Sequence, residues 1–172
     1  MARKTENPDA ACSFVVGDDG LSRWGDVHRR AWIGMLETHK QLTRKLEAEL
    51  EAEHGLSLSA LELMGRLAAA DDRLLTLSVL AEGCGLSLSR ISRIVDALED
   101  RKLVERRRCP TDARARNAWL TDAGLDLVRD AQAVHFGGVE REFFQHIEPS
   151  DIEALAAVFA RFAPDGGEDC TP

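Results

Sequence analysis

The chain has 172 residues, is 44% hydrophobic and carries a formal net charge of −8, enough apolar material for one core without any need to divide it. No apolar run approaches the roughly 18 residues of a membrane span. Cys12-Ser13-Phe14-Val15-Val16, closed by Gly17-Asp18-Asp19-Gly20, is too short for a secretory signal, so a cytoplasmic protein is expected.

In chain order, residues 1–20 are polar, with glycines and aspartates, and read as a disordered tail. A single domain is expected over 21–163. It opens with a long helix over 24–54, stopped by Gly55, in which Val27, Ala31, Met35, Leu42, Leu46 and Leu50 form a stripe at helical spacing. Lys45, Glu47, Glu49 and Glu51 lie on its solvated side. The helix is longer than a small core can use, so part of its stripe should meet another subunit. Ser59-x-x-Glu62 reads as a capping box that opens a helix running to about Ala70. Asp71-Asp72-Arg73 turns the chain, and Leu74-Leu75-Thr76 suits a short strand joining a later ribbon.

Residues 59–120 form the expected reading lobe, and Leu77–Leu120 is its densest part. A short helix over about Ser78–Gly83 is joined by Cys84-Gly85-Leu86, a glycine-containing turn that lets two helices cross steeply. From Ser87 onward, Leu88, Ile91, Val95 and Leu98 repeat at the spacing of one buried helix face. Ser89, Arg90, Ser92 and Arg93 occupy the other face, which makes a helix-turn-helix signature. Lys102–Arg106 reads as a strand, Cys109-Pro110-Thr111-Asp112 as a turn, and Asn117–Leu120 as the returning strand. Such a two-stranded ribbon with arginines at its tip is a wing. Thr121 reads as the N-cap of a helix running to about Gln145, with Gly137-Gly138 as a point of kinking. Ser150-x-x-Glu153 is a second capping box, opening a last helix with Ile152, Leu155, Phe159 and Phe162 on one face. Residues 164–172 read as a flexible tail. The helices over 24–54 and 122–163 have wide apolar faces and are expected to pair with their symmetry mates in an isologous dimer.

The net acidity opposes polyanion binding, but its distribution does not. Leu77–Leu120 holds nine basic and six acidic side chains, a local balance of +3, which leaves −11 for the rest of the chain. Affinity for a polyanion follows the local field rather than the total.

SRISRIVDALEDRKLVERR followed by CPTDARARNAWLTDAG resembles the MarR family of dimeric winged helix-turn-helix regulators, over about Trp24 to Phe162. The family pattern runs S-x-x-S-R-x-V-D-x-L-E, then G-L-V-x-R, an Asp-x-Arg wing and L-T-x-x-G. Here the last two stand as Asp112-x-Arg114 and Leu120-Thr121-x-x-Gly124. Two positions depart from it, Lys102 and Ala115, where the family usually has glycine. If position 102 is a left-handed helix stop, a non-glycine residue there costs about 1 kcal/mol. The resemblance implies a mainly α fold with a small β-hairpin wing, intertwined as a homodimer through its terminal helices. It also implies a repressor of transcription on a pseudo-palindromic duplex, with half-sites about 10 bp apart.

Ser87, Ser89, Arg90, Ser92 and Arg93 are the candidates for the major groove, where arginine takes guanine O6 and N7 and serine takes bases or phosphates. The plain alternative is a solvated helix face. By family likeness Arg93 holds phosphate or the wing, and Arg114, with Asp112 holding its loop, enters the minor groove. Arg106, Arg107, Arg108 and Arg116 read as backbone clamps, or else as solubilising charges. Trp32, Met35, His39, Met64 and Trp119 are candidates for an effector pocket, because family members often bind aromatic anions between the dimer helices and the reader. Ordinary core packing is the alternative for each. The four cysteines, Cys12, Cys84, Cys109 and Cys170, lack ligand spacing and are expected as reduced thiols. Cys109, beside three arginines, keeps a thiol-based redox sensor of the same fold open. A winged-helix module used for protein contacts is a further alternative. The five histidines show no HExxH spacing, and no Walker motif or nucleophile elbow is present, so neither catalysis nor a metal or cofactor is expected.

Overall fold

The computed structural model describes residues 14–108 and 116–162, apart from the side chain of Arg108. Two compact units divide the chain between Arg44 and Lys45, within one helix.

In the first unit, Phe14–Val16 (β1) pairs antiparallel with Ser22–Trp24 (β2), Phe14 opposite Trp24. Residues 14–20, expected as part of a tail, are therefore half of a hairpin. An aromatic and β-branched triplet forms one strand, and Gly20, at φ 76°, supplies the left-handed turn. Asp19 closes the turn by accepting from the Leu21 amide at 3.0 Å and from the Arg23 guanidinium. The Arg23 hydrogen bond holds the Asp19 carboxyl below its usual range. Trp24 ends the hairpin instead of starting the helix, which spans Asp26–His54 (α1).

The second unit takes in the end of α1 together with Leu58–Ala69 (α2), Leu74–Thr76 (β3), Leu77–Gly83 (α3), Leu88–Asp100 (α4), Val104–Arg108 (β4), Arg116–Leu120 (β5), Asp122–Glu142 (α5) and Pro149–Ala160 (α6). The sheet order is β3-β5-β4, antiparallel throughout, so the expected third strand does join the wing. Leu50, Leu56, Leu63, Met64, Leu67, Leu80, Ile91, Val95, Val104, Leu120 and Val128 close the core.

The capping reads differently from expectation at two of three helices. Ser57, not Ser59, caps α2, its Oγ accepting from the Ala60 amide at 3.2 Å. Ser59 lies inside the helix. α6 starts at Pro149 behind Glu148 with no side-chain cap, which puts Ser150 inside it. Thr121 caps α5 as expected, accepting from the Gly124 amide at 3.0 Å. Gly137-Gly138 does not break α5. A Cβ on Gly138 would lie 2.7 Å from Leu46 Cδ2, so this glycine admits α1 close to α5. Lys45 and Glu49, expected on a solvated face, pair across that approach with Glu142 and Arg141.

Candidate nucleic-acid interface

α4 is set by its two ends. Ser87 is its N-cap, accepting from the Arg90 amide at 3.3 Å and lying 3.1 Å from the Ser89 hydroxyl. A cap of this kind is worth about 1 kcal/mol, so Ser87 has a structural duty besides any contact. Gly85, at φ 62°, turns the chain from α3 into α4. At the far end Arg101 donates to the Gly55 and His54 carbonyls at 2.7 and 2.9 Å, satisfying the orphan oxygens at the C-terminus of α1. No local sequence signal marks that anchoring role.

Along α4, Ile91, Val95 and Leu98 are buried as expected, but Leu88 is 52% exposed. The apolar register starts one turn before the core does. Ser89, Arg90 and Arg93 are all exposed, and neither arginine has an ion-pair partner among the described residues. Ser92 is half-buried and turned toward the wing.

The wing side explains why. Strand alternation puts Val104 and Arg106 on one face of β4, and Val104 is in the core. Arg106 therefore points back at α4 instead of outward. Its Nη1 lies 2.6 Å from Asp96 and 2.7 Å from Glu99; its Nη2 donates to the Ser92 carbonyl and hydroxyl at 3.0 and 3.2 Å; its amide donates to Glu99 at 2.9 Å. The amide bond first, and then the guanidinium, hold the Glu99 carboxyl below its ordinary value. Burial pulls the Arg106 guanidinium down, but the hydrogen bonds to Glu99 and Asp96 outweigh it. Arg106, expected as a phosphate clamp, has its guanidinium engaged with α4 and so braces the wing to that helix.

Arg107 is on the opposite face, over the Trp119 ring at 3.5 Å, with Arg73 near the same ring at 5.4 Å. It also pairs with Glu105 at 3.3 Å. Arg116 is exposed and has no ion-pair partner among the described residues. The backbone of Arg108 pairs with Arg116 in the ribbon. Asp112 and Arg114 lie outside the described residues, as do Cys12, Cys109 and Cys170. Cys84 is half-buried; burial, then Glu62, push its thiol up against the opposing pull of Arg66, which disfavours the reactive thiolate.

The expected effector residues fare unevenly. Met64 is fully buried and has no surface to offer a ligand. Trp119 is occupied by the two guanidiniums. Trp32, Met35 and His39 are exposed in the first unit, where Trp32 lies 6.2 Å from Trp24. A groove of about 580 Å³ does exist beside α4, lined by Leu56, Ala60, Ile94 and Leu98 together with Arg90, Arg93 and Arg101. No group of three or more metal-ligating side chains occurs among the described residues. No helix among them is long and apolar enough to cross a membrane.

A sequence model of the MarR family matches residues 54–115. Among solved structures, the chain is similar to AbsC, a MarR family transcriptional regulator from Streptomyces coelicolor, at 30% identity and a TM-score of 0.75, over 81% of this chain and 95% of that one. It is similar to Sco3205, a MarR family transcriptional regulator from the same organism in complex with DNA, at 26% identity and a TM-score of 0.77, over 86% and 92% of the two chains. The fold also matches a cysteine-to-serine mutant of MarR from E. coli complexed with operator DNA, at 16% identity and a TM-score of 0.69, over 81% and 96%.

Proposed function

From the premise that this chain belongs to the MarR family of transcriptional regulators, we propose that it represses transcription as a homodimer, by laying α4 in the major groove of a pseudo-palindromic duplex. One observation carries this reading. Arg106 neutralises Asp96 and Glu99, the acids nearest the wing on α4, while Arg90 and Arg93 stay exposed without an ion pair among the described residues. A helix that is acidic on paper thereby presents a positive, hydrogen-bonding edge. Arg90 and Arg93, with Ser89, contact bases and phosphates. Arg107 and Arg116 contact the backbone from the ribbon, and Arg114 enters the minor groove.

Release follows if a small anion occupies the groove beside α4, because it competes with DNA for Arg90 and Arg93. A ligand shifts the equilibrium only by its differential affinity for the free and bound forms. The raised thiol of Cys84 favours such a ligand over oxidation at that residue as the releasing signal.

Fluorescence anisotropy with the duplex upstream of the protein's own gene, over a salt series and against unrelated competitor, tests the reading. Specific binding that weakens steeply with salt is expected. Arg90→Ala with Arg93→Ala should cost most of the affinity and flatten the slope of log affinity against log salt, by about 0.9 for each phosphate no longer neutralised. Equal, weak binding to both duplexes would move the function to a protein partner.

A further inference from the structure

We propose that Leu88 is a specificity-determining residue, reading the C5 methyl of a thymine in each half-site; the inference rests on the reading of α4 as the major-groove helix. Leu88 shares an apolar register with Ile91, Val95 and Leu98, whose exposures are 0%, 0% and 2%, yet its own is 52%. It is not a member of the buried core cluster. Its neighbours Ser87, Ser89 and Arg90 are all exposed and polar.

Leu88 is the first residue of the 13-residue α4. Helical side chains incline toward the N-terminus, so its isobutyl group projects ahead of the first turn. In helix-turn-helix proteins the N-terminal residues of the reading helix are the ones that meet base edges. Of the groups a major groove displays there, only the thymine methyl suits an aliphatic side chain. The other edges present donors and acceptors, which a leucine would strip of water without offering a partner. Serines and Arg90 around it recognise polar groups; Leu88 adds an apolar requirement that they lack.

The test uses the full-length protein and a duplex recovered by selection from a random pool. Each thymine is replaced in turn by deoxyuridine, which keeps the base pair and removes only the methyl. One thymine in each half-site should be sensitive, with binding falling about fourfold, the factor for burying one methyl. Leu88→Ala should bind more weakly and bind thymine and uracil alike at that position, with its salt slope unchanged. Leu88→Met, still apolar and flexible, should keep the methyl preference. Specific binding without a methyl-sensitive thymine, or sensitivity that survives in Leu88→Ala, overturns this inference and leaves the reader standing. Recovery of no duplex above background overturns both.

Discussion

Lys102 and Gly124 meet at one junction, where α4 ends and α5 begins. Lys102 adopts φ 61°, the left-handed stop that a glycine would enter without strain. The carbonyls that follow are then gathered by Thr121, whose Oγ1 donates to Lys102 O at 3.0 Å and to Leu103 O at 3.1 Å. Gly124 lies against the same strand entry: a Cβ there would be 2.2 Å from the Leu103 carbonyl oxygen and 2.7 Å from Leu120 Cδ1. The two positions predict opposite outcomes. Lys102→Gly should stabilise the protein by about 1 kcal/mol, read as a higher urea midpoint at unchanged slope. Gly124→Ala has nowhere to put its methyl, because one neighbour is backbone, and should destabilise by roughly 1–3 kcal/mol. If Gly124→Ala unfolds at the parent's midpoint, the close approach of α5 to Leu103 is not what fixes this glycine.

At the scale of the element, α4 and the wing act together through Arg106. Removing its charge with Arg106→Gln should weaken DNA binding by uncovering Asp96 and Glu99 on α4. The salt slope should hold, which separates a brace from a clamp. The Glu99 carboxyl adds a pH signature. Its value is depressed in the folded state, so its contribution is fully present above the ordinary glutamate value of 4.5 and is lost as pH falls below it. Glu99→Gln should therefore lower stability at pH 7, by less than about 1 kcal/mol since the pair is partly solvated, and the gap to the parent should narrow as pH falls below 4.5. A gap that persists in acid would mean that the carboxylate charge is not what matters. The same pair shows what a sequence conceals. Helical periodicity finds the start of α4 to within a residue, and stop and cap signals find Gly55 and Thr121, because each signal is local. The partners of Arg101, Arg106 and Arg107 depend on tertiary register, and in the sequence all three look alike as free cations. Alternation alone can place Arg106, since Val104 two residues earlier is core. The capping boxes mislead because Ser57 and Ser59 both fit the local chemistry, and only the path of the chain out of Gly55 selects the former. Leu88 misleads for a different reason: periodicity gives the face of a helix but not where the core stops beneath it.

For the whole molecule, the question is what covers the apolar surface that remains. α6 is a 12-residue helix with no buried residue, and Val158, Phe159 and Phe162 are 45%, 50% and 79% exposed. A helix of that length is marginal in water without a packed face, and patches of this kind on a soluble chain mark interaction sites. In the first unit Val27, Trp32, Ile33, Met35 and Leu36 are similarly exposed along α1. In the homodimer proposed above, a second copy of the chain would cover both. Phe159→Glu should then give a monomer at micromolar concentration by sedimentation equilibrium, with lower helix content by circular dichroism. The reading lobe has its own core in α2, α4 and the sheet, so a half-site duplex should be bound equally by parent and variant. On the full palindrome the two should part by a hundredfold or more, because linking two readers turns the second contact into an intramolecular one at an effective concentration of about millimolar. A variant that stays dimeric would place the interface elsewhere. One that loses the half-site as well would show that the lobe depends on the partner for its own fold.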